Sequence, residues 1–469
     1  MDLTTGPVGR TLLIFALPVL GSNVLSNLNG FINSIWVGQC LGQSALAATS
    51  NVNIILFTLF ASVFGVGMAS TILVGQAVGA RQFDEAKRVF GTGATFFAVI
   101  ALSVTASGYL LAGNILDAMG TPADARAYAV EYLRVIFLAM PSMYFFLFLM
   151  VTLRGAGDSK TPFYFMAVSV AMDIGLNPVL LMGKFGIPPM GIAGAATATL
   201  IAQTVCLIAL LVYLYKKKHF LCLYGREFRY LWPNRIILRS LLVKGLPMGL
   251  QMVVMSTSGI ALMSMVNSYG SETTSAYGVA TQVWGYVQMP AFALGAGVSA
   301  MVAQNLGAKR WDRITSIAWS GIGLNLLLTG VPALIILLFC RTILGWILPA
   351  GPTGEAATIG VHINAIAIWS YVLFGITVVL FGVVRSTGAV MAPLGVLFVS
   401  LWLIRIPFAK YLSAQWGADA IWWSFPLGSV IAAALAALYY WNGSWKRAHM
   451  IKATPGATEA EVAMANIEA

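Results

Sequence analysis

The chain has 469 residues, 59% of them hydrophobic and 9% charged, with a formal net charge of +11. A water-soluble chain needs roughly a quarter of its residues charged to cover its surface, so this composition excludes a soluble globular protein and leaves lipid as the surroundings of most of the molecule. The basic residues sit in short connections between apolar runs rather than in an interleaved stripe, which argues for membrane anchoring and against nucleic-acid binding.

A spanning helix needs about 20 mostly apolar residues. Twelve such spans are predicted, at about 10–38, 45–77, 88–113, 125–153, 162–183, 190–215, 245–268, 275–304, 314–340, 358–384, 391–413 and 417–441. The start, "MDLTTGPVGRTLLIFALPVLG", carries an acid at position 2 and runs directly into the first span, unlike a cleavable signal. Basic connections such as "GARQFDEAKR", "RGAGDSK" and "GAKRWDR" fall on the side of both termini, as does the segment from Lys216 to Gly245, with eight Lys/Arg and one Glu. The opposite connections "QCLGQS", "NSYGSETT" and "QWGAD" have neither Lys nor Arg, with Arg126, Lys184 and Arg341 near other outer loops as exceptions. The bias places both termini in the cytoplasm. Four cysteines are too sparse for a disulfide framework and read as packing residues.

The chain repeats itself. "LVGQAVGARQFDEA" matches "MVAQNLGAKRWDRI", pairing Gln76, Gly79, Ala80 and Asp84 with Gln304, Gly307, Ala308 and Asp312 at a constant spacing of 228. Leu17-Pro18 pairs with Leu246-Pro247, and "LRGAGDSKTP" with "VRSTGAVMAP". Six spans is an even number, so the halves run in parallel, a transporter plan. The predicted organisation is an all-α polytopic membrane protein of two six-helix repeats. An N-lobe occupies 1–215, a basic linker 216–244, a C-lobe 245–441 and a tail 442–469, whose end is small, mildly acidic and expected to be disordered.

Sixteen acidic residues are present, and Asp173 alone lies near mid-span. An ionised carboxylate there costs several kcal/mol, from about 2.5 upwards, and withdrawal from water favours a carboxyl's neutral form. Such a group can take a proton on one side and release it on the other. An interhelical hydrogen bond is the structural alternative, worth about 0.6–2 kcal/mol. Asn177 follows four residues later on the same helix face, and Pro178 frees a backbone carbonyl. Asn33 in span 1 lies at similar depth, and span 6 offers Thr197 and Thr199 among small residues that allow close helix approach. In the second half Arg405 is deep and always charged, with helix carbonyls as its expected partners. His362 lies near the outer end of span 10, where a polar ring is most often simply hydrogen-bonded.

Together, the "LP" of span 1, "LVGQAVGA", "LRGAGDSKTP", "GLNPVLL…GIAGAATAT" and "LWLIRIP" resemble the multidrug and toxic compound extrusion (MATE) family over about 10–441. The resemblance implies two six-helix bundles arranged as a V and cation-coupled efflux of amphipathic, often cationic, compounds by a monomer in the bacterial inner membrane. It also implies an N-lobe cation site made from a span 1 acid, an Asn-x-x-x-Asp pair in span 5 and a Thr in span 6. Here those places read Asn33, Asp173-x-x-x-Asn177 and Thr199, leaving one carboxyl where the family often has two. Asn33, Asn177 and Thr199 offer neutral oxygens to Na⁺ beside Asp173. A proton needs only the carboxyl, so proton coupling is favoured and Na⁺ remains the alternative. Pro18 and Pro247 are the expected hinges, and Arg405 and His362 the possible polar sites of the C-lobe. "GAGDSK" lacks phosphate-loop spacing, and three histidines, two of them outside the spans, offer no clustered catalytic or metal-binding set. No enzyme, catalytic residue, cofactor or structural metal is expected; the partners are lipid and drug-like small molecules, without nucleic acid. A lipid-linked precursor flippase of the same superfamily remains an alternative, and it requires a strongly cationic cavity.

Overall fold

The computed structural model of the chain describes residues 1–183, 186, 188–347 and 354–451. The end of the tail, from residue 452, and Lys184 lie outside the described residues. Fourteen α-helices make up nearly all of the described chain. In the first half they are α1 (Val8–Leu41), α2 (Gln43–Gly79), α3 (Phe83–Ala118), α4 (Ala123–Gly155), α5 (Lys160–Met182) and α6 (Gly191–Lys216). In the second they are α7 (Arg235–Asn267), α8 (Ser271–Gly307), α9 (Asp312–Ile347), α10 (Glu355–Ala367), α11 (Ser370–Ser386), α12 (Met391–Phe398), α13 (Ile406–Trp416) and α14 (Asp419–Asn442).

Among the described residues, eleven segments are long and apolar enough to cross a membrane, with Met391–Trp416 counting as one. The pair α10 and α11, bent by 43° at their break, makes twelve. The chain is a multi-pass membrane protein. The tenth span is therefore two helices where the sequence predicts one. α7 starts at Arg235, well before the expected 245, because Asn234 caps it: its Oδ1 accepts the N–H groups of Ile236 at 2.9 Å and Ile237 at 3.2 Å. The linker is correspondingly shorter and contains a 3₁₀ turn, Gly225–Leu231.

The repeat is visible in backbone geometry. α2 and α8 both end in the same left-handed turn, with Arg81 and Lys309 each at φ 58°. Gln82 N donates to Ala77 O at 2.9 Å, and Arg310 N donates to Asn305 O at 2.8 Å. These paired carbonyl-satisfying bonds are a Schellman-type stop, here formed without glycine at the left-handed position. Two glycines take that conformation after α4 and α11, Gly157 at φ 89° and Gly388 at φ 96°.

The chain separates into two compact units, Gly21–Gly245 and a second made of Met1–Leu20 with the chain from Leu246 onward. The division runs through two helices, α1 beside Pro18 and α7 beside Pro247. The first residues of the chain accordingly belong with the second half. Leu3 is fully buried there; its N–H donates to Gln304 Oε1 at 3.3 Å, and its carbonyl accepts Asn305 Nδ2 at 3.0 Å. Arg310 and Arg313 donate to the carbonyls of Thr4 and Gly6.

Candidate functional site in the first unit

α5 begins where Asp158 Oδ1 accepts the N–H groups of Lys160 at 3.1 Å and Thr161 at 3.0 Å, closing the entry turn. Its run then carries Asp173 and Asn177, 2% and 1% exposed, to the interior of the unit. α6 approaches closely because Gly194 has no side chain. A Cβ there would lie 2.7 Å from the carbonyl of Leu180. That contact sets Thr199 opposite Asp173.

The carboxylate is held from two sides. Asn29 Nδ2 donates to Asp173 Oδ2 at 2.6 Å, and Thr199 Oγ1 lies 3.2 Å from Oδ1 and 3.3 Å from Oδ2. One turn along, Asn177 Nδ2 donates to Asn33 Oδ1 at 3.2 Å, and Asn33 Nδ2 reaches the Tyr132 hydroxyl at 3.5 Å. Both α1–α5 pairs advance by the same four residues in the same direction, so the two helices present matched polar ladders. Asn177 Oδ1 is buried and has no hydrogen-bond partner among the described residues.

Asp173, Asn33, Asn177 and Thr199, expected together from the sequence, thus form one cluster. The direct amide partner of the carboxyl is Asn29, however, and Asn33 instead engages Asn177 and Tyr132. The signal for Asn29 was its position four residues before Asn33, the step that separates Asp173 from Asn177. Tyr132 carried no such signal, because a buried tyrosine in an apolar helix reads as packing. Thr197 turns away, donating to Ala193 O of its own helix at 2.7 Å.

The family model MatE matches residues 18–179 and 247–410, the two halves of the repeat. The chain belongs to the MatE family. Among relatives of this MatE protein, the probable multidrug resistance protein YoeA of Bacillus subtilis is 37% identical over 94% of the chain and 95% of its own length. The multidrug export protein MepA of Staphylococcus aureus is 23% identical over 92% and 93%. The fold matches an outward-facing multidrug resistance MATE family transporter of the MOP superfamily, with a TM-score of 0.85 at 19% identity, over 93% of this chain and 96% of that one.

The two second-half residues singled out in the sequence do not share a site. His362 is exposed at the side chain, and its Nε2 lies 2.8 Å from Asp419 Oδ1. Arg405 ends a seven-residue π-helix, Val399–Arg405, two residues before Pro407, which has no N–H to continue the ladder. Its expected carbonyl partners are not there. The guanidinium lies instead over the ring of Phe425, 3.6 Å from its centroid, and lines a cavity.

Proposed function

We propose that this MatE protein is a secondary antiporter of the bacterial inner membrane. It exports amphipathic, often cationic, organic compounds in exchange for protons, with Asp173 as the coupling group. The observation that carries the reading is a lone buried carboxylate, between α1, α5 and α6, whose only bonded partners among the described residues are the neutral Asn29 and Thr199. With no cation beside it, the group exchanges its charge with whatever positive species enters. An intramembrane acid of this kind is a functional group by default.

The cycle follows from that chemistry. Deprotonated, Asp173 accepts Asn29 and Thr199 and offers a negative charge to a cationic substrate. Protonated, it becomes a hydrogen-bond donor, its ladder must rearrange, and the substrate loses its counter-charge. Alternating access then comes from the two repeats rocking, with Pro18 and Pro247 as hinges; their position beside the division of the units supports that role. The protein acts as a monomer with both termini in the cytoplasm, consistent with the basic connections on that side.

A second reading, Na⁺ coupling, rests on Asn177 Oδ1, a buried oxygen without a hydrogen-bond partner near the carboxylate's turn. Inverted membrane vesicles supplied with external ethidium separate the two. Accumulation driven by an acid interior and indifferent to a Na⁺ gradient is the expected result. Accumulation driven by Na⁺ alone replaces the ion in the proposal, and accumulation under neither gradient overturns it.

A further inference from the structure

The second unit holds a partly open cavity of about 250 Å³ lined by α7, α8, α11, the π-helical turn and α14. Its lining combines the aromatic rings of Tyr277, Tyr371, Phe374 and Phe425 with the polar ends of Gln288 and Arg405, the guanidinium stacked on Phe425. Trp284 backs these rings, 5.3 Å from Tyr371 and 5.0 Å from Phe425 between ring centroids, and is fixed by its own Nε1–H donated to Asn364 Oδ1 at 2.8 Å. The wall is rigid.

Arg405 is the anomaly in it. The side chain makes no hydrogen bond and no ion pair among the described residues, and its Nε is shielded from water with no acceptor. No Asp or Glu lines the cavity. The residue as a whole is half-buried, yet a guanidinium has five N–H donors and cannot shed its charge, and withdrawing even part of an unpaired charge from water costs free energy. The stacking on Phe425 offsets only part of that cost, since a desolvated cation–π contact is worth about 2 kcal/mol. The side chains of Tyr277, Tyr371 and Gln288 likewise show no hydrogen bond to a described residue. A positive fork, two phenols and an amide therefore line one partly open cavity with their hydrogen-bonding capacity unspent among the described residues.

We propose that this cavity binds the carboxylate or sulfonate end of an aromatic organic anion or zwitterion, which Arg405 grips through its paired N–H groups. The geometry of a planar guanidinium suits a bidentate oxyanion, and the aromatic wall takes the attached ring. The volume lies somewhat below that of sites that engulf a whole drug-sized molecule, roughly 300 Å³ and above, so one ring system and its charged end fit. This site lies wholly in the unit that does not contain Asp173. It extends the export reading by adding acidic compounds to the chemical range, and it does not depend on which ion drives transport.

The test is a binding measurement without any gradient. Purified protein in phosphatidylcholine nanodiscs is dialysed against radiolabelled 1-naphthoate and, separately, its neutral isostere 1-naphthamide. Naphthoate should bind at least about tenfold more tightly, the size of one charge-assisted hydrogen-bonded contact. Arg405→Gln should abolish the preference, whereas Glu227→Gln, in the linker outside the cavity, should leave it intact. Should Arg405→Gln fail to fold, Arg405→Lys keeps the charge without the planar fork and should weaken naphthoate several-fold. Equal affinity for the two probes, a preference that survives Arg405→Gln, or naphthoate binding unaltered by Arg405→Lys would overturn the assignment. So would loss of naphthoate binding on replacing the lipid with phosphatidylglycerol, which would give the site to lipid headgroups. Failure here leaves gradient-driven export standing, and failure of export leaves this binding standing.

Discussion

Asn29 and Thr199 approach the same carboxyl from different helices, and each hydrogen-bonds the group proposed to change charge. A bond to an ionised partner is worth about 1.5–3 kcal/mol, so removing either donor changes the balance between the two states of Asp173 by roughly tenfold or more. Asn29→Ala and Thr199→Ala are each expected to slow ethidium export about tenfold at saturating gradient, with expression and melting temperature close to wild type. Asn33→Ala should do less, because Asn33 bonds Asn177 and Tyr132 rather than the carboxyl. Initial rates in vesicles rank the three. Equal losses for all three would mean the ladder acts only as packing. The residue scale is also where the sequence was least legible. Asp173 stands out alone because acids are rare in apolar helices, whereas Asn29 is one of several asparagines in its helix and only the partner helix selects it.

At the scale of helices, α5 and α6 depend on a missing side chain. Gly194→Val would place atoms where the Leu180 backbone already lies, and overpacking of that kind costs typically 1–3 kcal/mol. The expected outcome is a lower melting temperature together with lost export, since the displaced α6 carries Thr199 with it. The linker is tied down by a different device. Glu227 accepts Lys87 of α3 and the Tyr224 N–H, and the Lys87 ammonium holds its carboxyl below the usual value of 4.5. A depressed carboxylate stabilises above its ordinary pKa, and that contribution is lost as pH falls through the lower folded value. The protection of the amides of residues 224–231, taken relative to their intrinsic exchange rates at each pH, should therefore fall on acidification below about 4.5 in wild type. Glu227→Gln should show the lower protection already at neutral pH, and protection identical in both proteins would contradict the tie. Helix number, order and the repeat were legible because apolar length and motif spacing are set by the bilayer and by duplication. The early start of α7 was not, since Arg and Lys among its first residues break the apolar run that Asn234 nonetheless caps. The π-turn before Pro407 and the cavity beside Arg405 were hidden for a related reason. A sequence shows a deep charge but not whether its neighbours answer it.

For the whole molecule, the two units hold different chemistry on one duplicated frame. The repeat preserves the turns after α2 and α8 and the glycines after α4 and α11, so duplication is strict where helices stop and relaxed where side chains meet the interior. The first unit keeps a negative group, the second a positive one, and α1 and α7 each run through the division between the units beside a proline. The central claim is that the charge state of Asp173 drives this frame between its two openings. Its most direct test reconstitutes wild type and Asp173→Asn in proteoliposomes and follows ethidium under an imposed pH gradient and, separately, in exchange without one. Asp173→Asn is expected to abolish uphill accumulation while the protein keeps its wild-type melting temperature and helix content. Accumulation by Asp173→Asn at the wild-type level would show that the carboxyl is structural and that coupling resides elsewhere.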